Sequence, residues 1–288
     1  MSEETVVGWD GSAPAHRALE WALTRAEARG ESVLIARVVP ETGASTGHTV
    51  REYAIDTAES ALEQEFRSAR SRHPRLTIDS RLLFGDPVEE LRSLSDEDTL
   101  IVVGTHSPRD ADVSAPWSIG ARLAATSYGP VAVIPDNPLS LDSARTGIVA
   151  GVDGSAASLV AAQYAASEAV RRGERLTTVH AWQIPPMWAE TELDDDSLHA
   201  LEEVHRGILD TATDFVQREF PTLTIEKAVV KMPAMTALHD AAVQSRLLVL
   251  GNHGLKAAPR LALGPVSHSL IRQVDVPTVV VREAAHAP

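Results

Sequence analysis

Short apolar runs that stop at glycine or at a carboxylate recur along this chain. Between them lie longer stretches in which apolar residues return every three or four positions. Leu247 to Leu250, ended by Gly251, and Val276 to Val281 are two such runs. A short unbroken run reads as a strand buried on both faces of a parallel sheet, and the 3.6-residue period between runs reads as helix packed against it. In the first half this pattern predicts strands at Thr5–Trp9, Val33–Val39, Leu76–Leu83, Thr99–Val103 and Val131–Ile134. Ser12 is an N-cap for a helix carrying Ala18, Leu19, Ala22 and Ala26 that Gly30 ends. A longer, more charged helix is expected over about 49–72, a short one from Gly85-Asp86-Pro87, and another from Ser118 to Ser127.

The second half repeats the order, with strands expected near 146–151, 175–182, 223–230, 247–251 and 278–282. Ser155 caps a helix carrying Leu159, Ala162, Ala166 and Val170, ended by Gly173. A helix near 194–219 places Leu201, Val204, Ile208, Ala212 and Phe215 on one face, and Asp194-Asp195-Asp196 favours its N-terminus by charge. Strands alternating with helices imply an α/β fold: a doubly wound, five-stranded parallel sheet in each half.

The halves are an internal duplication. Val7-Gly8-Trp9-Asp10-Gly11-Ser12 returns as Ala150-Gly151-Val152-Asp153-Gly154-Ser155, and Leu100-Ile101-Val102-Val103-Gly104 returns as Leu247-Leu248-Val249-Leu250-Gly251. Gly129-Pro130-Val131-Ala132-Val133-Ile134 matches Val276-Pro277-Thr278-Val279-Val280-Val281. The polar, proline-rich segment from Pro135 to Arg145 reads as the linker between domains over 1–136 and 145–288.

Composition narrows the function. Net charge is −14 with a pI near 5.2, a field that repels nucleic acid and anionic membrane. The absence of cysteine excludes disulfides, thiolate metal sites and a cysteine nucleophile. The N-terminus lacks a signal-peptide pattern and no apolar run approaches a membrane span, so a cytoplasmic location is expected.

The chemistry concentrates after Leu250, where Gly251, Gly254 and Gly264 are spaced G-x2-G-x9-G and Pro265, Val266 and Ser267 open the next helix. Glycines permit positive φ and close approach of a ligand, and a helix N-terminus offers unpaired N–H groups and the positive end of a dipole. Together they make a phosphate cradle at the carboxyl edge of the sheet. The competing reading is that the glycines close loops. His253 lies inside this loop, whose cations are Lys256 and Arg260.

Aligned on Gly251, the first half reads Gly104, then Ser107 and Trp117 where the other two glycines stand, then Ser118. An indole in place of bare backbone marks the first site as degenerate. Asp10 and Asp153 end the first strand of each half. Each can contact a ribose or base, and each can equally form an Asx-turn into the following helix. His239-Asp240 falls on a helix, where neighbours face apart. No His, Asp or Glu set has metal-ligand spacing, and Walker A, G-x-S-x-G and G-x-G-x-x-G motifs are missing.

The glycine spacing, its place between the fourth and fifth apolar runs and the closing Pro277-Thr278-Val279-Val280-Val281 resemble the nucleotide-binding stretch of the universal stress protein family, and the resemblance covers both halves. It implies an adenine nucleotide, ATP with Mg²⁺ held by the phosphates, bound in the second half. Asp153 would contact the nucleoside, with main-chain contact at Ala181, just past His180; Val38 is the first-half counterpart. The family pattern has Ser or Thr after the third glycine, where this chain has Pro265. Proline suits the first position of a helix but removes one N–H and one hydroxyl from the cradle. The resemblance further implies a sensor or regulator without substantial catalysis, whose halves pair through their fifth strands as an internal pseudo-twofold dimer, with homodimers beyond that. The rival classes are a slow ATPase or nucleotidyl or phosphoryl transferase, and a ligand-free dimerisation module with both sites degenerate.

Overall fold

The computed structural model describes residues 4–40, 48–106, 118–136, 145–184, 194–253, 263–273 and 275–283. The chain divides into two compact units near residue 141.

In the first unit, β1 (Glu4–Gly8), β2 (Ser32–Val39), β3 (Ile78–Phe84), β4 (Leu100–Thr105) and β5 (Val131–Pro135) alternate with α1 (Ala13–Arg29), α2 (His48–Arg72), α3 (Pro87–Ser93) and α4 (Ile119–Thr126). The strands are parallel in the order β3-β2-β1-β4-β5. The second unit follows the same plan. Its strands are β6 (Ile148–Gly151), β7 (Leu176–Trp182), β8 (Ile225–Lys231), β9 (Leu247–Gly251) and β10 (Thr278–Val281). Its helices are α5 (Ala156–Arg172), α6 (Asp195–Glu219), α7 (Ala234–Ala242) and α8 (Pro265–Gln273). Its parallel order is β8-β7-β6-β9-β10. A doubly wound α/β sheet in each half is therefore what the chain forms.

The unbroken apolar runs became central strands because both their faces are covered. Val6, Val7, Ile101 and Val102 in the first unit, and Ala150, Leu248 and Val249 in the second, are fully buried. The helix starts also follow local chemistry. Ser12, Asp86, Ser118, Ser155 and Asp194 are N-caps whose side chains accept a backbone N–H of the first turn.

In two helices the buried face overlaps the one their apolar spacing suggests but is rotated from it. In α6 the buried residues are Leu209, Ala212, Thr213 and Val216, whereas Val204 is 63% and Phe215 39% exposed. In α5 a stripe of small residues, Ala157, Ala161, Ala162, Ala165, Ala166 and Ala169, lies against the sheet, and Val170 faces outward. Larger residues flank each stripe, so apolarity alone misplaces the contact line by part of a turn.

Among the described residues, no helix is long and apolar enough to cross a membrane.

Candidate functional site

A cleft of about 510 Å³ opens at the carboxyl ends of β6 and β9. Chain order reverses between these neighbouring strands, the switch point at which open α/β sheets place their ligands. Gly151, Val152 and Asp153 line one side, and Leu250, Gly251 and His253 line the other. Val179 and Ala181 from β7, with Leu238 from α7, form the apolar wall. Leu263, Gly264, Pro265, Val266 and Ser267 close the mouth.

The structure thus brings together Asp153, Ala181, Gly251, His253, Gly264, Pro265, Val266 and Ser267, residues far apart in sequence. Gly254, Ser107 and Trp117, and the loop cations Lys256 and Arg260, lie outside the described residues. Sequence reasoning missed the apolar wall of Val152, Val179, Leu238 and Leu250. Their apolarity looks like ordinary core, and no spacing marks them as cleft.

The Asp-Gly-Ser turn resolves into the Asx geometry. Asp153 Oδ1 accepts from Ser155 N at 3.0 Å and from Ser155 Oγ at 2.6 Å. Gly154 sits at φ 84°, a left-handed conformation that glycine adopts without strain. Asp10 does the same in the first unit, accepting from Ser12 N at 2.9 Å with Gly11 at φ 87°. The turn reading therefore holds for both carboxylates. Asp153 additionally borders the cleft, with the Ser155 hydroxyl 3.5 Å from the His253 carbonyl across it.

Gly251 has a packing reason to be glycine that loop spacing does not show. A Cβ there would lie 2.9 Å from the carbonyl carbon and oxygen of Ala157, in the first turn of α5. Gly104, its counterpart, is tighter still, at 2.3 Å from the same atoms of Pro14. Positive φ occurs, among the described residues, at Gly11, Gly30, Gly85, Gly147, Gly154 and Gly173, and not at Gly251. Both halves keep this glycine because the end of the fourth strand touches helix backbone, whether or not a ligand binds.

The helix start opposite is built by three hydrogen bonds. Gly264 N donates to Asn252 O at 2.8 Å, His268 N closes the first turn of α8 on Gly264 O at 2.9 Å, and Ser267 Oγ donates to Gly251 O at 2.8 Å. Pro265 stands at the first helical position, where its missing N–H breaks no helical bond. Val266 and Ser267 follow, and helix geometry gives their N–H groups no partner inside the helix. The Ser267 hydroxyl has its proton committed to Gly251 O, so it is an acceptor, not the phosphate donor expected from sequence. In the first unit Ser118 is the cap of α4, its Oγ accepting from Ala121 N at 3.2 Å.

The charged and titratable residues among the described lining are Asp153 and His253, with no Lys or Arg. Within the described lining, positive potential comes from the α8 dipole and its amides. Their geometry suits an anion bound through main chain, and the apolar wall suits a flat, weakly polar group beside it. The cleft volume lies within the range of small-molecule sites.

Beneath the cleft, on the α5/α6 side of the sheet, His180 is buried, and its Nδ1 lies 2.7 Å from the Val152 carbonyl. Its Nε2 lies 2.8 Å from His205 Nδ1, and the His205 ring stacks on Trp182 at 4.7 Å. Burial, and then the neighbouring His180, push the His205 pKa below the ordinary histidine value. In the first unit the corresponding positions hold Trp9 and Arg37, with the guanidinium 5.3 Å over the indole, and Val38 follows near the end of β2.

His239 and Asp240, expected to face apart, approach within 3.3 Å, Nδ1 to Oδ1, as an exposed pair on α7 away from the cleft lining. Among the described residues no group of three His, Cys, Asp or Glu is placed to hold a metal ion.

A profile of the universal stress protein family matches residues 1–135 and again 145–282. A universal stress protein of Mycobacterium tuberculosis is 28% identical over 303 aligned residues, covering 96% of this chain and 94% of its own. One from Mycolicibacterium smegmatis is 26% identical, covering 96% of each. The crystal structure of a universal stress protein from Archaeoglobus fulgidus matches with a TM-score of 0.73 at 17% identity, over 98% of this chain and 99% of its own.

Proposed function

Because the chain belongs to the universal stress protein family, carrying two copies of its domain, we propose that its C-terminal unit binds one adenine nucleotide and that the protein acts as a nucleotide-responsive regulator. The observation that supports this most directly is the cleft at the β6/β9 switch point, into which the N-terminus of α8 opens beside an apolar wall. The base would lie against Val179, Ala181 and Leu238, and the phosphates would meet the amides of Val266 and Ser267. Asp153 stands at the nucleoside edge.

ATP fits this donor set less completely than a cradle with Ser or Thr at 265 would, since Pro265 offers neither hydroxyl nor N–H. A lost hydrogen bond to a charged group costs roughly 1.5–3 kcal/mol, or about one to two decades of affinity. Mg²⁺ would ride on the phosphates and supply charge neutralisation there. The described wall places no Lys or Arg against a γ-phosphate, so ATP turnover is slow or absent in this reading.

Calorimetry with ATP tests the proposal. A stoichiometry near one per chain, abolished by Gly264→Val and unaffected by Asp10→Ala, supports it. No heat with ATP, ADP or AMP at millimolar concentration, or binding that survives Gly264→Val and disappears in Asp10→Ala, overturns it. Phosphate release near 1 s⁻¹, ordinary for phosphoryl-transfer enzymes, that disappears in Lys256→Ala would favour an enzyme instead.

A further inference from the structure

We propose that His205, His180 and the Val152 carbonyl form a directed hydrogen-bond relay that positions the floor of the cleft and makes it sensitive to protonation of α6. His180 and His205 are positioning residues in this scheme, since neither lines the cleft. The consequence for affinity rests on the nucleotide reading above. The relay itself does not.

The direction of the relay follows from chemistry. A carbonyl oxygen can only accept, so His180 Nδ1, 2.7 Å from Val152 O, carries a proton. In neutral His180 that leaves Nε2 as an acceptor. His205 Nδ1, 2.8 Å away, must then be the donor. Both tautomers are set by the one carbonyl at the end of the chain.

That carbonyl belongs to the Val152–Asp153 peptide, which borders the cleft. The same peptide is held at its other end, Asp153 N donating to Ser158 Oγ at 3.3 Å. Val152 N donates to Val179 O at 2.9 Å, tying it to the apolar wall. The strand end that carries Asp153 is thus fixed from the far face of the sheet by a side chain of α6. Gly154, in the same turn, is backed by Ile208, one turn further along that helix.

The groups around the relay decide its response to protons. From β7 come His180 and the Trp182 ring that stacks on His205. From β8 comes Lys231, its ammonium 5.6 Å over Trp182, while Lys227 is paired with Asp210 of α6. On α6 itself, Glu202 and Glu203 are paired with Arg206. The charged residues of α5, Glu168, Arg171 and Arg172, lie in its last turns, at the opposite end of the sheet. No carboxylate in this set is placed against the imidazole. A half-buried ring beside a second histidine resists a positive charge, which is why its pKa is lowered. Linkage makes the effect reciprocal: an arrangement that disfavours the proton is disfavoured by it. Protonation therefore favours His205 leaving the stack, which releases His180 to its other tautomer and frees the Val152 carbonyl. The first unit has no such relay, since Arg37 stands where His180 does and cannot accept a hydrogen bond.

Nitrogen-15 NMR of the ligand-free full chain is the test. Expected are Nδ1–H tautomers for both histidines and an Asp153 amide resonance that moves with the midpoint of His205, below the ordinary histidine range. In His180→Asn, which keeps a donor short of His205, and in His205→Gln, which keeps a donor without a titration, the amide should no longer follow pH. With ATP as probe, the wild-type dissociation constant should rise about fivefold more than that of His205→Gln between pH 8 and 5.5, the loss of one hydrogen bond. Comparing the two proteins cancels titration of the nucleotide itself. A still Asp153 amide while His205 titrates, or an Nε2–H tautomer at His180, overturns the relay whatever ATP does. An amide that follows His205 in a protein that binds no nucleotide keeps the relay and removes the nucleotide reading.

Discussion

Replacing Gly104 by alanine should destabilise the first unit substantially, and Gly251→Ala should destabilise the second by a smaller amount. The added Cβ at 104 lies 2.3 Å from the carbonyl carbon and oxygen of Pro14 and 2.8 Å from Ala15 N. Ordinary contact begins at 3.4 Å, so β4 and α1 must separate by 3.4 − 2.3 = 1.1 Å, against 3.4 − 2.9 = 0.5 Å at Gly251. The obstructing atoms are backbone and cannot rotate aside. Helix α1 is also anchored by Ala18, Leu19, Ala22, Leu23 and Ala26, all fully buried. Overpacking of this kind costs about 1–3 kcal/mol, and position 104 belongs at the top of that range and 251 at the bottom. Alanine offsets about 0.4–1 kcal/mol of the cost by restricting the unfolded chain. The net is about 2 kcal/mol lost for Gly104→Ala and a smaller loss, up to about 1 kcal/mol, for Gly251→Ala. Scanning calorimetry of the full chain should show a drop of roughly 6–8 °C for the first, at about 3–4 °C per kcal/mol for domains of this size, and a smaller drop, up to about 3–4 °C, for the second. A Tm unchanged in Gly104→Ala, or a larger loss in Gly251→Ala, would refute the packing account of this shared glycine.

Other outcomes follow from the same geometry. In α6, Leu209→Ala should cost about 2–5 kcal/mol because the residue is fully buried, while Val204→Ala should change stability by less than about 0.5 kcal/mol; urea midpoints of both variants check this. Ser267→Ala removes the hydroxyl that donates to Gly251 O and should cost about 0.5–1.5 kcal/mol while weakening ATP binding through a looser α8 start, read by calorimetry on one sample. His205 has a folded-state pKa below its unfolded value of 6.5, so the unfolded chain binds more protons in that window. The His205 contribution to stability should therefore be full above pH 6.5, fall as pH drops through the window, and be lost below the folded pKa. Chemical denaturation across pH should show that slope in wild type and its loss in His205→Gln.

The strands and their succession along the chain were legible because a strand covered on both faces must be apolar at nearly every position. Leu247 to Leu250 and Leu100 to Val103 carry that signature without any knowledge of their neighbours. The duplication followed from matching Asp-Gly-Ser turns and strand-ending glycines, and the turns have a local cause: an Asx turn and a left-handed residue. Helix starts at Ser12, Asp86, Ser118, Ser155 and Asp194 are equally local, set by a side-chain oxygen within reach of the next few amides.

What the tertiary structure decided is everything that depends on which surfaces meet. The buried face of α6 turns on the small-residue stripe of α5 and the sheet beneath, so Val204 and Phe215 face outward despite their apolarity. Val179, Leu238 and Leu250 look like core residues anywhere in the chain, and only the switch point between β6 and β9 leaves a gap beside them. Gly251 required glycine because Ala157 approaches it, a contact between residues 94 positions apart (251 − 157) that no loop spacing encodes. His180 and His205 carry no motif in sequence. Their hydrogen bond exists because β7 and α6 are packed so that two imidazoles and one carbonyl fall in line, and the direction of that bond is fixed by a carbonyl that can only accept.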